Sequence, residues 1–387
     1  MRHFDVVVIG AGPAGAATAL SLRKNHPHLS VLLLEGSDFQ GMRPGETLSL
    51  DAIPLLQQLE VFDFFLEQNH KPLSSQLGTR GTGSIPANGA DAGGGWHLDR
   101  ARFDSMLAGY AAASGAAFMR AMLTRVQPDA NGRWQLNVST GAVSHAITAS
   151  FVIDASGRNA RFAAEIGVAQ TAHDALVCVT RVIELEKANQ AGTSCEIEAF
   201  EHGWWYSCPW GEKSLAVSLM TDADISKRLR LSSAEQWMEL LDAAPRTRTR
   251  AGSWRAQGES TIRAAHTRNL AIYAGTNWLA VGDAAASVDP LASQGVMRAL
   301  RFGLQAGNTV GDQFGKRQSS GLQDYAQLVR AEFNNNLMLR LEDYRMEQRW
   351  AGSPFWARRH MLQGLPPDLA PTGARNTMPL GGTNSAS

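Results

Sequence analysis

The residues whose types and spacing best suit chemistry stand at the start of the chain, in Gly10-x-Gly12-x-x-Gly15 and at Glu35. Glycines at this spacing allow a tight turn and let backbone amides approach a pyrophosphate at a helix N-terminus. Glu35, at the end of the next apolar run, offers a carboxylate to an adenosine ribose. Pro13 and Ala14 within the turn, and Gly36 just after the acid, belong to the same cofactor segment. The motif alone fits NAD and FAD equally, and the alternative to both is a purely structural glycine turn. Glu46, His97 and Asp289 are candidates for proton transfer or, equally, for structural hydrogen bonding. Trp204, Trp205 and Tyr206 are candidate walls of an aromatic pocket, against the ordinary role of sheet core. Arg246, Arg248 and Arg250 alternate in a loop expected after Pro245, either to dock an acidic partner or as a solvated charge run.

These residues need elements to hold them. Residues 4 to 9 run β-branched without polar alternation and predict a buried parallel strand. Residues 14 to 23 then predict a helix stopped by Asn25 and Pro27, and residues 31 to 34 a second strand, which together make an opening βαβ unit. Residues 78 to 95, dense in Gly, Thr, Ala and Asn, predict neither helix nor strand but a crossing or active-site loop. A helix is expected over 99 to 113 and a hairpin at Asn131-Gly132. Short alternating runs between 175 and 220 predict an antiparallel sheet, and Ser232-x-x-Glu235 a capping box for a covering helix. Residues 278 to 281 return to a buried strand. Helices are expected over 294 to 312 and, from apolar steps between Leu322 and Tyr344, along the C-terminal side.

Composition narrows the function classes. At 387 residues the chain exceeds one ordinary core. Its 36 basic and 36 acidic residues cancel, so no global field draws in nucleic acid or an anionic membrane. Neither a secretory leader nor a membrane span is expected, which points to the cytoplasm. The three cysteines, Cys178, Cys195 and Cys208, are too few and too irregularly spaced for a disulfide framework or a zinc site. They are expected as buried thiols, and no metal is expected.

Further stretches resemble a known superfamily. Trp278-Leu-Ala-Val-Gly282-Asp283 resembles the strand-Gly-Asp element with which flavoprotein hydroxylases bind the ribityl chain. The helix starting near Gln294, Gly295 and Val296 would then point its positive end at the flavin. Val152-Ile-Asp154-Ala155-Ser156-Gly157-Arg158 resembles their Asp-Gly motif, with Ser156 where those enzymes usually carry an Asp linked to reduced nicotinamide. That departure puts direct reduction by NAD(P)H in doubt and raises a separate flavin reductase as a partner. Arg100 resembles the arginine on the flavin diphosphate, with Arg102 as the fallback.

Arg43-Pro44-Gly45-Glu46-Thr47-Leu48 and Asp283 to Gly295 resemble the flavin-dependent tryptophan halogenases and their non-halogenating relatives. The halogenase Trp-x-Trp-x-Ile-Pro stretch corresponds here to Trp204 to Pro209, and the halogenase lysine expected near residues 75 to 80 is missing, with Lys71 a poor fit. The whole pattern over residues 1 to 360 is most similar to the flavoprotein maturases of tryptophylquinone-dependent amino-acid oxidases of the lysine ε-oxidase or glycine oxidase type. This implies an α/β fold of α+β two-domain type, with a Rossmann-like FAD domain of glutathione-reductase type, an antiparallel β-sheet substrate domain and a C-terminal helical segment. The cofactor domain is expected over 1–75, 96–170 and 270–315, the substrate domain over 76–95 and 171–269, C-terminal helices over 316–364, and a disordered tail over 365–387. The implied activity is hydroxylation of an indole or tryptophan ring by dioxygen through a C4a-hydroperoxyflavin, on a quinoprotein precursor. A small-molecule indole hydroxylase, a halogenase-like enzyme and a flavin-binding assembly factor are the alternatives. Glu46, Trp204, Tyr206 and Pro290 are the implied catalytic residues, and Pro290 also joins the cofactor set.

Overall fold

The computed structural model describes residues 1–40, 46–80, 83–86, 94–187, 192–252, 254–315 and 320–361. Strand Arg2–Ile9 lies inside a sheet of eight strands among the described residues. It pairs in parallel with Val31–Glu35 on one side and Val143–Asp154 on the other. Val6, Val7 and Val8 are fully buried, because helices or strands cover both faces of a parallel sheet. Trp278–Ala280 and Ala117–Arg120 extend the parallel set, and Met122–Pro128 and Trp134–Thr140 add an antiparallel meander.

Helix Pro13–Asn25 follows the glycine turn and packs lengthwise on the 21-residue helix Gly295–Gly315. A stripe of glycines four residues apart permits the contact. A Cβ on Gly303 would stand 2.5 Å from the Ala14 carbonyl oxygen, one on Gly307 2.5 Å from Ser21 Cβ, and one on Gly311 2.0 Å from His26 Cδ2. The two backbones therefore approach as closely as glycine allows, and Ser21 Oγ adds a hydrogen bond to the Leu304 carbonyl at 3.1 Å.

The second large sheet has seven strands, ordered Trp254–Ala264, Leu176–Leu185, Ser214–Asp222, Gly203–Pro209, Cys195–Phe200, Gln76–Arg80 and Gly83–Pro86. All of its pairings are antiparallel except that of Cys195–Phe200 with Gln76–Arg80. Between the two large sheets in the chain order, Gly95–His97 pairs with both Thr47–Ser49 and Lys71–Leu73. Residues 78 to 95 thus contribute strands that the sequence reading did not expect. Gln76–Arg80 pairs with Cys195–Phe200, over 100 residues away, while Gly83–Pro86 and Gly95–His97 pair with nearer strands, and the segment's own residues carry no alternation.

Two local expectations are corrected. Helix Ala234–Asp242 is preceded by Ser233, whose side chain makes no capping hydrogen bond, so the Ser232–Glu235 capping box does not form. Arg246, Arg248 and Arg250 lie on a helix, Pro245–Ala251, which Pro245 opens at its first turn, not in a loop. Arg246 and Arg250 pair with Glu196 and Arg248 with Asp242, so the run is largely neutralised within the chain. The long C-terminal helix spans Ser320–Arg345 and is followed by Pro354–His360. The tail expected over 365–387 and the cofactor candidate Arg43 fall outside the described residues.

Candidate flavin site and aromatic face

The glycine turn is fixed by its own sterics at two positions and left open at a third. Gly10 sits at φ 102°, and a Cβ there would meet the Ala155 carbonyl oxygen at 2.4 Å. A Cβ on Gly15 would fall 1.8 Å from the Gly10 carbonyl oxygen. These two glycines are required by the turn. Gly12 is different, with an ordinary φ of −67° and nothing within 4 Å of its missing Cβ. Gly295, the first residue of the long helix, likewise has open space beyond its Cα. The chain's own sterics do not require glycine at either position, and both leave backbone amides open to a ligand. Residues 10–15 and the start of the long helix could hold a dinucleotide cofactor.

Glu35 accepts hydrogen bonds from Ala11 N and Ser37 N, each at 2.8 Å, so its carboxylate is already aimed at the turn. Gly36 follows, closely covered by Met122. Gly282 adopts φ 62° against Ala14, which brings the Asp283 segment to the start of the first helix. The Asp283 carboxylate is partly exposed, 3.5 Å from the Arg158 guanidinium.

Ser156 is committed to structure. Its hydroxyl donates to Asp154 at 2.5 Å and accepts from Arg161 N at 2.7 Å, next to Gly157 at φ 69°. Burial pushes the Asp154 carboxyl up from its ordinary range, against the hydrogen bonds that it receives from Ser156 and Ala163.

Arg100 and Glu46 come together. Arg100 opens helix Arg100–Ala113 behind the Asp99 cap. It is almost fully buried, with Nη1 2.5 Å from Glu46 and Nε and Nη2 each 2.8 Å from Asp104. Burial opposes its charge, yet the two carboxylates hold its pKa above that of a free guanidinium. A diphosphate reaching Arg100 in this arrangement has to displace Glu46. Arg102 is exposed and turned to Asp99 and the Gln68 carbonyl.

Trp204, Trp205 and Tyr206 do not share a face. Side chains alternate along strand Gly203–Pro209. Trp205 points to the covering helix and packs edge-on against Trp237 at 5.3 Å, so it is core and not a pocket wall. Trp204 lies on the opposite face, where its Nε1 donates to Tyr344 Oη at 3.0 Å. Tyr344 in turn donates to Asp289 Oδ2 at 2.9 Å, and Asp289 Oδ1 accepts from Leu291 N at 3.0 Å. All three side chains are buried. Burial raises the Asp289 carboxyl, and burial together with Asp289 raises the Tyr344 phenol well above its usual range. Asp289 caps the single turn Pro290–Ala292, and Ser293 at φ 50° then redirects the chain past Gln294 and Gly295 into the long helix, where Val296 is buried. Sequence reasoning missed Tyr344; its apolar spacing marked only a helix face.

His97 meets the cysteines. Its Nδ1 is 3.2 Å from Cys208 Sγ and 3.7 Å from Cys195 Sγ, and the two sulfurs are 2.9 Å apart. The irregular spacing that argued against a cysteine site is thus overridden by the pairing of two neighbouring strands. A cavity of about 350 Å³ opens beside them, lined by Lys71, His97, Thr193, Pro209, Glu212 and Ser214 among others.

A parallel βαβ core with a ligand-ready glycine turn, a Gly-Asp segment from a distant strand and an antiparallel second sheet defines a flavin-dependent oxidoreductase of two-domain type. The chain belongs to the tryptophan halogenase family, whose model matches residues 85–372. FAD is the cofactor that this family and fold take. LodB of Marinomonas mediterranea, provisionally assigned as an FAD-dependent oxidoreductase, is 30% identical over 373 residues, 94% of this chain and 99% of that one. A 1H-pyrrole-2-carbonyl-[peptidyl-carrier protein] brominase of Pseudoalteromonas luteoviolacea is 24% identical, covering 80% and 77%. Among solved structures, the myxobacterial chondrochloren halogenase CndH superposes with a TM-score of 0.83 at 21% identity, covering 94% and 87%. QhpG, a peptidyl tryptophan dihydroxylase essential for tryptophylquinone cofactor biogenesis, superposes at 0.70 with 24% identity, covering 94% and 80%. Among the described residues no helix is long and apolar enough to cross a membrane.

Proposed function

We propose that the chain is an FAD-dependent monooxygenase that hydroxylates an indole ring, with a tryptophan side chain of a tryptophylquinone oxidase precursor as substrate. The observation that carries this reading is the buried line from Trp204 through Tyr344 to Asp289, which ties the aromatic face of the seven-stranded sheet to the turn preceding the long helix. The end-to-end similarity to LodB and the likeness in fold to QhpG support the same reading. Bound FAD, once reduced, supplies oxygen activation. The protein supplies the setting. Helix Gly295–Gly315 directs its N-terminal amides, and the positive end of its dipole, to where negative charge gathers on a reduced ring. Pro290 fixes the backbone of the preceding turn, and Asp289 and Tyr344 lock that turn to the aromatic face. Trp204 and Tyr206 close one side of the face against water, and Glu46 neutralises Arg100 at its edge. With Ser156 occupied as a turn residue, electrons enter from a separate flavin reductase.

The test is co-expression of candidate precursors with this protein, followed by peptide mass spectrometry. One or two oxygens gained on a single tryptophan, only when this protein is present, is the expected result. Stable FAD binding with oxygen consumption but no modified tryptophan on any precursor overturns it. A second reading, halogenation of an aromatic substrate, is favoured by Lys71, which lines the cavity beside His97 and offers it an ammonium. The same spectra decide it: a halogen added in chloride or bromide buffer, and lost in Lys71→Ala, selects halogenation.

A further inference from the structure

Cys195 and Cys208 have no role in the chemistry proposed above, although both hydrogen-bond with Tyr206. We propose that they form a peroxide-responsive thiol pair, in which His97 serves as the base and the product is a cross-strand disulfide. Strands Cys195–Phe200 and Gly203–Pro209 pair antiparallel with Glu196 opposite Ser207, so the next residues along, Cys195 and Cys208, face each other. Cys195 N donates to the Ser75 carbonyl, away from its cysteine partner. The two therefore occupy a non-hydrogen-bonded pair, where side chains of facing strands approach most closely and a disulfide is spanned without moving backbone. Their sulfurs already stand 2.9 Å apart.

His97 is oriented for the task. Its Nε2 lies 3.0 Å from the Thr193 carbonyl, which accepts and thereby assigns the proton to that nitrogen, leaving the Nδ1 lone pair toward both thiols. Burial works against thiolate formation, but hydrogen bonding with Cys208, His97 and Tyr206 brings the Cys195 thiol down to about 6, while burial pushes Cys208 up. Cys208 is the nearer sulfur to His97 Nδ1, 3.2 Å against 3.7 Å, so His97 takes the Cys208 proton in the resolving step while Cys195 is the sulfur that reacts first with the oxidant. His97 and Pro209 both line the cavity, which gives a small oxidant its approach.

The oxidant is hydrogen peroxide, which reduced flavin releases in air. Cys195 sulfur attacks one peroxide oxygen, the O–O bond breaks, and the departing hydroxide leaves as water with the thiol's proton. Cys208 then attacks the resulting sulfenic sulfur, the S–O bond breaks, and the Cys208 proton, relayed by His97, leaves in a second water. Two thiols and one peroxide become one disulfide and two waters. A tetrahedral metal held by the same three groups needs its sulfurs about 3.8 Å apart at Zn–S bonds of about 2.3 Å, so this packing favours the disulfide.

The experiment uses the full-length protein, reduced, desalted and exposed to added hydrogen peroxide, so its outcome is independent of the proposed substrate. Alkylation under denaturing conditions and peptide mass spectrometry should reveal a Cys195–Cys208 crosslink, with Cys178 still alkylated. Cys208→Ser should leave Cys195 as a dimedone-trappable sulfenic acid. His97→Asn should slow crosslinking about a hundredfold and move its pH midpoint upward. Full alkylation of both cysteines after excess peroxide overturns the proposal, as does oxidation of Cys178 at the same rate. Elemental analysis that finds one zinc per chain, with the thiols reactive only after chelation, overturns it in favour of a metal site.

Discussion

Replacing Tyr344 by phenylalanine removes one oxygen and leaves two buried groups without that partner. Trp204 Nε1 loses its acceptor at 3.0 Å, and Asp289 Oδ2 loses its donor at 2.9 Å. Neither site is open to water, since Trp204 is 3% and Asp289 4% exposed. An orphaned buried polar group costs about 1–3 kcal/mol, and two of them, partly relieved by protonation of the already raised Asp289 carboxyl, amount to about 3 kcal/mol. At about 2.1 cal/mol/K of unfolding entropy per residue, that loss lowers the melting midpoint of a 387-residue chain by roughly 4 °C. The assay is thermal unfolding of Tyr344→Phe, Trp204→Phe and the double variant, each with and without FAD. Because the two side chains share one hydrogen bond, the single losses should exceed the double loss by about 1 kcal/mol. A Tyr344→Phe midpoint within about 1 °C of the parent, or strictly additive losses, refutes the buried line as a structural unit.

Other outcomes follow from the same geometry. Gly12→Ala should leave the apo-protein's melting midpoint unchanged, because its methyl enters open space, yet weaken FAD binding at least about tenfold, or 1.4 kcal/mol, by flavin titration. Unaltered flavin affinity would show that Gly12 does not approach the cofactor. Gly303→Ala should cost about 1–3 kcal/mol in urea unfolding, since its methyl would press on the Ala14 carbonyl and the Ala17 side chain. Hydrogen bonding to Arg358 holds Asp224 down to about 2, below its ordinary 3.8. The stability from that pair is present above pH 3.8 and lost as pH falls through about 2, so Asp224→Asn should differ from the parent at pH 6 and converge with it toward pH 2. Both carriers of the pair are exposed, which keeps the difference to a few tenths of a kcal/mol.

The cofactor half of the molecule was legible because its signals are local. Gly10, Gly15 and Glu35 form their turn within one βαβ unit, and the Gly282-Asp283 turn follows a recognisable buried strand. The aromatic face was half legible. Alternation along Gly203–Pro209 separates Trp205 from its neighbours, but only the strand assignment reveals that. Tyr344 and the Cys195–Cys208–His97 group were not legible, since their meaning arises from contacts between residues far apart in the chain. Strand Gln76–Arg80 was hidden for the same reason, as it pairs with Cys195–Phe200, and Gly83–Pro86 is held only by pairing back onto it. One readable signal was overlooked, the Gly303-x-x-x-Gly307-x-x-x-Gly311 repeat, whose spacing announces a close helix crossing.

That crossing has a consequence for biogenesis. The glycine turn leaves the ribosome well before the helix that clamps its backbone, which follows only after nearly 300 residues of further synthesis. At about 5–20 residues per second the nascent chain waits some 15–60 s with its opening βαβ unit unsupported. The close packing of the first helix on the glycine repeat is consequently a late event of synthesis, and a chain that stops before Gly303 lacks it.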